Sequence, residues 1–292
     1  MLEFTVPEGT DSIKISDFLR QRGISQTLRR KIKQKGKVLL NGREVNLAAI
    51  ATAGDRLEIS LPAEPKLVPT SLPLQVIYED QEFLVVNKPP GMLVHPTTKL
   101  EYNTLANAVL YYYQQHGLDC DFHPVHRLDR NTSGLVLIAK HPYIQHYLCQ
   151  NYIEKVQRFY IALITGKMPT IEGIINAPIG RSPDSIIRRI VRPDGQKAIT
   201  KYRTIDIYHE ASLVEVEPIT GRTHQIRAHF AAIGHPLLGD DLYGGSRELI
   251  GRQALHAAKL TFTNPINQAT ISVTADLSED MQELIKRLRT RK

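Results

Sequence analysis

Cysteine is scarce: Cys120 and Cys149 are the only two in 292 residues. They supply neither a disulfide framework nor the spacing of a zinc site, so redox and structural-metal chemistry are not what organises the chain. Long apolar runs are missing too. The longest, such as residues 135–139, are strand-sized, far short of a bilayer span. The start, Met1-Leu2-Glu3-Phe4, has no basic n-region or apolar h-region, which makes a cytoplasmic location the expectation. No Gly-x-Gly-x-x-Gly and no phosphate-loop lysine follows an apolar run, so nucleotide cofactors lack support. A fixed-period repeat and low-complexity tracts are likewise absent, which sets solenoids aside.

What is present is a globular composition, 42% hydrophobic and 23% charged, over a length that suggests two domains. The formal net charge is +7, which points to a polyanionic partner. That charge is uneven: residues 1–62 hold eleven Lys and Arg against seven Asp and Glu.

The first 62 residues read as a small α/β-hairpin domain. Ser16 can cap a helix through Arg22, and Ser25 can cap a second through Lys35 before Gly36 ends it. Arg29, Arg30, Lys31, Lys33, Lys35 and Lys37 stand along or just beyond the second helix with no acid among them. Such a run is usually a solvated helix face, yet without neutralising acids it costs self-repulsion unless something anionic meets it. Val38-Leu39-Leu40, the turn Asn41-Gly42 and Arg43-Glu44-Val45 predict a hairpin, and residues 54–60 predict another strand.

Residues 63–73, rich in proline, read as an extended linker. Residues 74–292 alternate strands and helices: a hairpin at 76–78 and 83–86, a helix at 105–115, strands at 135–139 and 158–164, and a helix at 141–154 between them. Strands follow at 200–207 and 213–216, then a helix capped by Thr223 with Ile226, Phe230 and Ile233 inward. Strands at 254–262 and 269–273 and a helix at 279–288 complete the chain. Hairpin-joined strands with inserted helices predict an α+β domain on a mixed, mainly antiparallel sheet.

Three polar segments interrupt this pattern. The first, His126-Arg127-Leu128-Asp129-Arg130-Asn131-Thr132-Ser133-Gly134, sets a carboxylate between arginines at the mouth of a buried strand. Asp129 there is either a reactive group or the cap of an Asx turn. The second is Arg158-Phe159-Tyr160, where Tyr160 is a stacking surface or an ordinary strand tyrosine. The third is Thr220-Gly221-Arg222-Thr223-His224-Gln225-Ile226-Arg227, where Arg227 is a site residue or a solvated helix arginine. A second basic stretch, residues 181–203 with seven cations and two acids, includes Arg188 and Arg189 on loops suited to a nucleic-acid backbone. His123 with His126, and His224 with His229, lack a third ligand, so no metal is expected. His126 and His224 are read instead as loop-holding hydrogen-bonders.

These segments, with Asn87-Lys88-Pro89-Pro90-Gly91 and Gly239-Asp240-x-x-Tyr243-Gly244, resemble the RluA-type pseudouridine synthases. The resemblance covers residues 74–292 in order. The first 62 residues resemble the RNA-binding domain named after ribosomal protein S-four. The resemblance implies an RNA-modifying isomerase with Asp129 as catalytic aspartate, Tyr160 against the target base and Arg227 paired with Asp129. Arg127 would fill the space a flipped nucleotide leaves, and Leu255 would make an apolar contact nearby. RNA contacts fall to Arg29, Arg30, Lys31, Lys33, Lys35, Lys37, Arg127, Arg130, Arg188 and Arg189. One departure is Arg158, where the family usually has lysine, a change of geometry at constant charge.

The chemistry needs no cofactor and no metal: uracil leaves through N1 and rejoins the ribose through C5. A carboxylate serves at C1′ as nucleophile or at C2′ as base, and a neighbouring Arg227 opposes the effect of burial on its charge. The expected partner is RNA, ribosomal rather than transfer, bound by a monomer without membrane. Two rivals stand: a non-catalytic RNA-binding assembly protein, which has no use for Asp129, and a glycosidic hydrolase, which needs paired acids.

Overall fold

The computed structural model describes residues 2–22, 24, 26–60, 67–97, 102–150 and 152–290 and divides the chain into two units, Met1–Lys66 and Leu67–Lys292. In the first unit the elements are β1 (Leu2–Thr5), β2 (Ile13–Lys14), α1 (Ile15–Gln21), α2 (Gln26–Lys35), β3 (Lys37–Leu40), β4 (Arg43–Glu44), β5 (Ile50–Ala51) and β6 (Arg56–Ser60). An antiparallel sheet in the order β1-β6-β3-β4 packs Val38, Leu57 and Ile59 against Ile15, Phe18, Leu19 and Ile32 of the helices.

The Asn41-Gly42 turn has φ of 52° and 77°, the positive values that a two-residue hairpin loop requires. Ser16 does not cap α1. Lys14 occupies the cap in extended conformation, and the first helical N–H groups are satisfied by the Ala49 and Leu47 carbonyls at 3.0 and 2.9 Å, which leaves a side-chain cap nothing to do. Ser25, the expected cap of α2, lies outside the described residues, as does the side chain of Lys31. Arg30, Lys33, Lys35 and Lys37 are exposed and Arg29 is half-buried.

The second unit runs β7 (Gln75–Glu79), β8 (Phe83–Lys88), α3 (Leu105–Gln115), β9 (His123–Pro124), β10 (Ser133–Ala139), α4 (Pro142–Gln150), α5 (Tyr152–Lys155), β11 (Val156–Thr165), β12 (Glu172–Asn176), β13 (Ile179–Arg181), β14 (Arg189–Val191), β15 (Ile199–Ile207), β16 (Ala211–Pro218), α6 (Gln225–Ala232), β17 (Leu255–Thr263), β18 (Thr270–Thr274) and α7 (Glu279–Thr290). One sheet takes the order β12-β15-β16-β11-β17-β10-β8-β7, with β18 added to β17 and β9 to β10. Among the described residues, β10 with β17 is the parallel pair in an otherwise antiparallel ladder.

The apolar run of β10 is continuous because both of its faces are covered. Val136 and Ile138 join Leu84, Val86, Tyr160, Phe230 and the α3 residues Leu105 and Val109 on one side. Leu135 and Leu137 join Phe83, Val85, Leu148 and Phe262 on the other. Farther along that second side, α7 packs Met281, Leu284 and Leu288 against Leu163 and Leu213.

Two expectations change here. Residues 67–73 are not free linker: Leu67 packs on the main core, and α3 takes hold of the stretch through Asn107, whose Nδ2 donates to the Val68 carbonyl at 2.8 Å. The helix expected at 141–154 is described over α4 and α5, and residue 151 between them lies outside the described residues. Ile233 faces outward at the C-cap of α6, 40% exposed, because the helix ends at Ala232 before a further turn can bring it under the sheet. No described helix is long and apolar enough to cross a membrane.

Candidate active site

The loop carrying Asp129 is fixed from below by buried cations. Lys88, fully buried at the end of β8, donates to the carbonyls of Pro89, Met92 and Arg130 at 2.8, 2.8 and 3.0 Å. Burial pushes its ammonium down to about 7, reinforced by Arg252 and opposed by Asp129; three carbonyls accepting its three protons also favour the charged form.

Arg252 approaches from the far side, donating to the Asn131 carbonyl at 3.0 Å and Ser133 Oγ at 3.2 Å. It is itself held by Asp280 at 2.7 and 2.9 Å. His126 accepts the Leu137 N–H at Nε2, 3.1 Å away, and burial pushes it down to about 3. It is therefore a neutral acceptor holding the loop to β10. Gly134 has φ of +111°, and a Cβ there would overlap the Ala257 backbone, so the close parallel approach of β10 to β17 requires glycine.

Above this floor, Arg227 Nη1 donates to Asp129 Oδ2 at 3.0 Å. The remaining edge of the guanidinium is taken by Asp240, with Nε to Oδ2 at 2.7 Å and Nη2 to Oδ1 at 2.8 Å. This bidentate pairing fixes the plane of the arginine. Asp240 is 1% exposed and Arg227 7%. Burial works against the Arg227 charge, and the two carboxylates more than offset it, holding the group above its ordinary value. Asp129 remains reachable, its side chain 21% exposed.

The αL residue His224, φ 56°, takes the cap position of α6 that was expected for Thr223. Gln225 makes this turn possible by accepting the Thr220 hydroxyl at 2.7 Å and the Arg222 N–H at 3.0 Å. His224 Nε2 points at Asp129 Oδ2 from 3.7 Å, and its Nδ1 lies 3.0 Å from the Tyr243 hydroxyl. Burial lowers its pKa, Asp129 opposing. Tyr243 also accepts the Arg189 N–H at 2.9 Å and lies under the Arg227 guanidinium, 5.0 Å from ring centre to Cζ.

Tyr160 reaches the same place from β11. The ladder between β11 and β17 carries a bulge between Phe159 and Tyr160, a distortion that re-aims a side chain. Burial raises the Tyr160 pKa, with the Arg158 charge opposing, so its hydroxyl keeps its proton at neutral pH. Arg158 is itself buried and donates to the Pro218 and Thr220 carbonyls at 3.2 and 3.1 Å.

Arg127, Asp129, Tyr160, Arg227 and Leu255 line one cavity of about 110 Å³, with Arg158 and His224. Arg127 and Arg130 are exposed on either side of Asp129. Arg188 and Arg189 do not line this cavity; the Arg188 guanidinium lies over the Tyr243 ring, 5.7 Å from its centre. Sequence reasoning gave no role to Lys88, Asp240, Tyr243 or Arg252. The motifs beginning at Asn87 and Gly239 contain the first three, and Arg252 carried no signal. Asp240 also bears on hydrolysis. A second acid does stand beside the site, but both of its oxygens are spent on Arg227 and it is sealed from solvent, so it cannot serve as the partner acid. No group of three or more potential metal-binding side chains occurs among the described residues.

Comparison with known proteins gives a consistent family. The model of the RNA pseudouridylate synthase family matches residues 82–232. An RNA pseudouridine synthase of Bacillus subtilis, YjbO, is 41% identical across 93% of this chain and 98% of its own. The ribosomal large subunit pseudouridine synthase D of Zymomonas mobilis is 39% identical across 80% of this chain and 78% of its own. Among solved structures, human RNA pseudouridylate synthase domain containing 1 superposes with a TM-score of 0.58 at 26% identity, covering 78% of this chain and 98% of that one.

Proposed function

The chain belongs to the RNA pseudouridylate synthase family, of the RluA type, and isomerises uridine to pseudouridine in RNA; from that premise we propose that Asp129 acts on the sugar of the target nucleotide and that the substrate is large-subunit ribosomal RNA. In the reaction the N1–C1′ bond breaks, a C5–C1′ bond forms, the C5 proton is lost and N1 gains a proton. Asp129 works at the sugar through Oδ1, the oxygen left when Arg227 holds Oδ2. Tyr160 lies against the uracil and offsets part of the few kcal/mol, roughly, that unstacking costs. Arg127 fills the gap left in the RNA, and Leu255 packs against the base.

The observation that carries this reading is the clamped arginine. Asp240 fixes Arg227 so that one N–H is aimed at a solvent-reachable carboxylate inside a cavity walled by a tyrosine. A pure RNA binder gains nothing from a carboxylate kept there. For the substrate, the charge of +7 suits RNA of either kind, and the likeness to a ribosomal large subunit synthase favours ribosomal over transfer RNA. The first unit acts as an accessory RNA-binding domain through Arg29, Arg30, Lys31, Lys33, Lys35 and Lys37, and Arg130, Arg188 and Arg189 add phosphate contacts.

Release of tritium from C5-labelled uridine in ribosomal and transfer RNA transcripts tests both parts. Wild-type release from large-subunit transcripts, abolished by Asp129→Asn, is the expected result. Unimpaired release by Asp129→Asn sinks the assignment of Asp129, and release from transfer RNA alone sinks the substrate.

A further inference from the structure

Beside the cavity that holds Asp129 lies another of about 280 Å³, walled by Arg181, Arg189 and Arg222 with Thr223. Arg222 and Thr223 line both cavities. Arg181 and Arg189 are direct cross-strand partners in the β13–β14 hairpin, and like charges opposite one another on paired strands are destabilising. Among the described residues no acid pairs with either. The one carboxylate in the wall, Asp194, is taken by Arg192, whose Nη2 donates to it at 2.7 Å. Neither Arg181 nor Arg189 makes a side-chain hydrogen bond or ion pair among the described residues. Among the described residues the Arg222 side chain donates through Nε alone, to the Lys197 carbonyl at 3.1 Å.

A repulsive pair that persists without an internal counter-ion is a seat for an external anion. Guanidinium forks match phosphate oxygens in geometry as well as charge. We propose that this second cavity seats a phosphodiester of the RNA strand next to the target uridine, and that Arg181, Arg189 and Arg222 register the strand on the active site. The proposal rests on the function argued above and extends it. Because the cavities share a wall at Arg222 and Thr223, a strand whose base enters the first presents its neighbouring phosphate to the second.

The test uses the full chain with Arg181→Gln and Arg189→Gln combined, on the transcript that responds in the tritium assay. KM rises roughly tenfold or more, kcat at saturating RNA is retained, and the salt dependence of RNA binding flattens by about one to two counter-ions. The melting temperature does not fall, since a repulsive pair has been removed. Replacing one phosphate beside the target uridine by a methylphosphonate weakens the wild type and leaves the double variant unaffected. An unchanged KM and salt slope overturns the proposal, as does a KM rise accompanied by a drop in melting temperature, the mark of a structural prop. A wild type that releases no tritium refutes the function instead, and the salt slope of binding then still decides this inference.

Discussion

Asp240→Asn separates a clamped arginine from a merely adjacent one. The substitution keeps the size of the side chain, removes its charge, and turns an NH2 group toward guanidinium donors now 2.7 and 2.8 Å away. Arg227 stays buried with half of its compensation gone. Removing one partner of a buried ion pair costs about 3–5 kcal/mol. Asp129 still accepts one N–H at 3.0 Å, which argues for the lower end, about 3 kcal/mol. At about 2–4 °C per kcal/mol for a unit of this size, the melting temperature falls by about 6–12 °C.

Activity falls further than stability requires, because the freed guanidinium rotates onto Asp129. A misplacement of that kind costs on the order of 10²-fold. Thermal unfolding by circular dichroism and tritium release from the same preparation read both effects. Asp241→Asn is the control. That neighbouring carboxylate is exposed and meets Arg247 at 3.2 Å, so its loss costs at most about 1 kcal/mol. A second check is the cycle with Arg227→Gln, in which Asp240→Asn adds little further loss of turnover. An Asp240→Asn enzyme that melts and turns over like the wild type refutes the clamp.

Three other outcomes follow from the geometry. Tyr160→Phe retains RNA binding and slows tritium release if the hydroxyl assists proton loss at C5; an unchanged kcat removes the hydroxyl from the reaction and leaves the ring as a stacking face. Burial, reinforced by the Arg158 and Arg252 charges, pushes His126 and His256 down to about 3 and about 4, below the ordinary value of about 6.5. Between those limits the unfolded chain binds more protons, so this stability is present above about pH 6.5 and is lost as pH falls toward 4 and 3. Urea unfolding from pH 7.5 to 5, above the range of most carboxylates, reads it, and a flat profile contradicts it. In the first unit, Lys33→Gln and Lys35→Gln each lower the salt slope of RNA binding by about one with kcat unchanged, and a slope equal to the wild type's rules out phosphate contact there.

The sequence carried the site's local chemistry better than its long-range support. Asp129, Tyr160 and Arg227 stand in contiguous motifs, so their residue types and neighbours were visible in one dimension. The strand at 135–139 was visible for a related reason: both faces are buried, and the apolar run is unbroken. The parallel pairing of β10 with β17 left no local trace beyond Gly134, whose need arises from a backbone more than a hundred residues away. The bulge before Tyr160 is a register event between two strands and has no composition of its own. Ser16 failed as a cap because carbonyls of a distant loop, Leu47 and Ala49, supplied the acceptors first. Tertiary partners override local preference in each of these cases.

The same contrast divides the cations of the second unit. Lys88, Arg158, Arg227 and Arg252 are buried, and they donate to carbonyls, hydroxyls or carboxylates of the protein itself. Their charge is spent on orientation: Lys88 and Arg252 hold the Asp129 loop from two sides, Arg158 holds the Thr220 segment, and Arg227 aims at Asp129. Such groups are poor recruiters of RNA, because each already has internal acceptors that a phosphate would have to displace in a low-dielectric interior. Arg127, Arg181 and Arg222 are exposed and keep guanidinium donors facing solvent, where a phosphate oxygen can meet them without that cost. Charge count alone therefore overstates the RNA-binding surface. Substitution of a buried cation shows up in melting temperature and kcat, and substitution of an exposed one in KM and salt slope. A buried-cation variant such as Arg252→Met that changed only the salt slope would contradict this division.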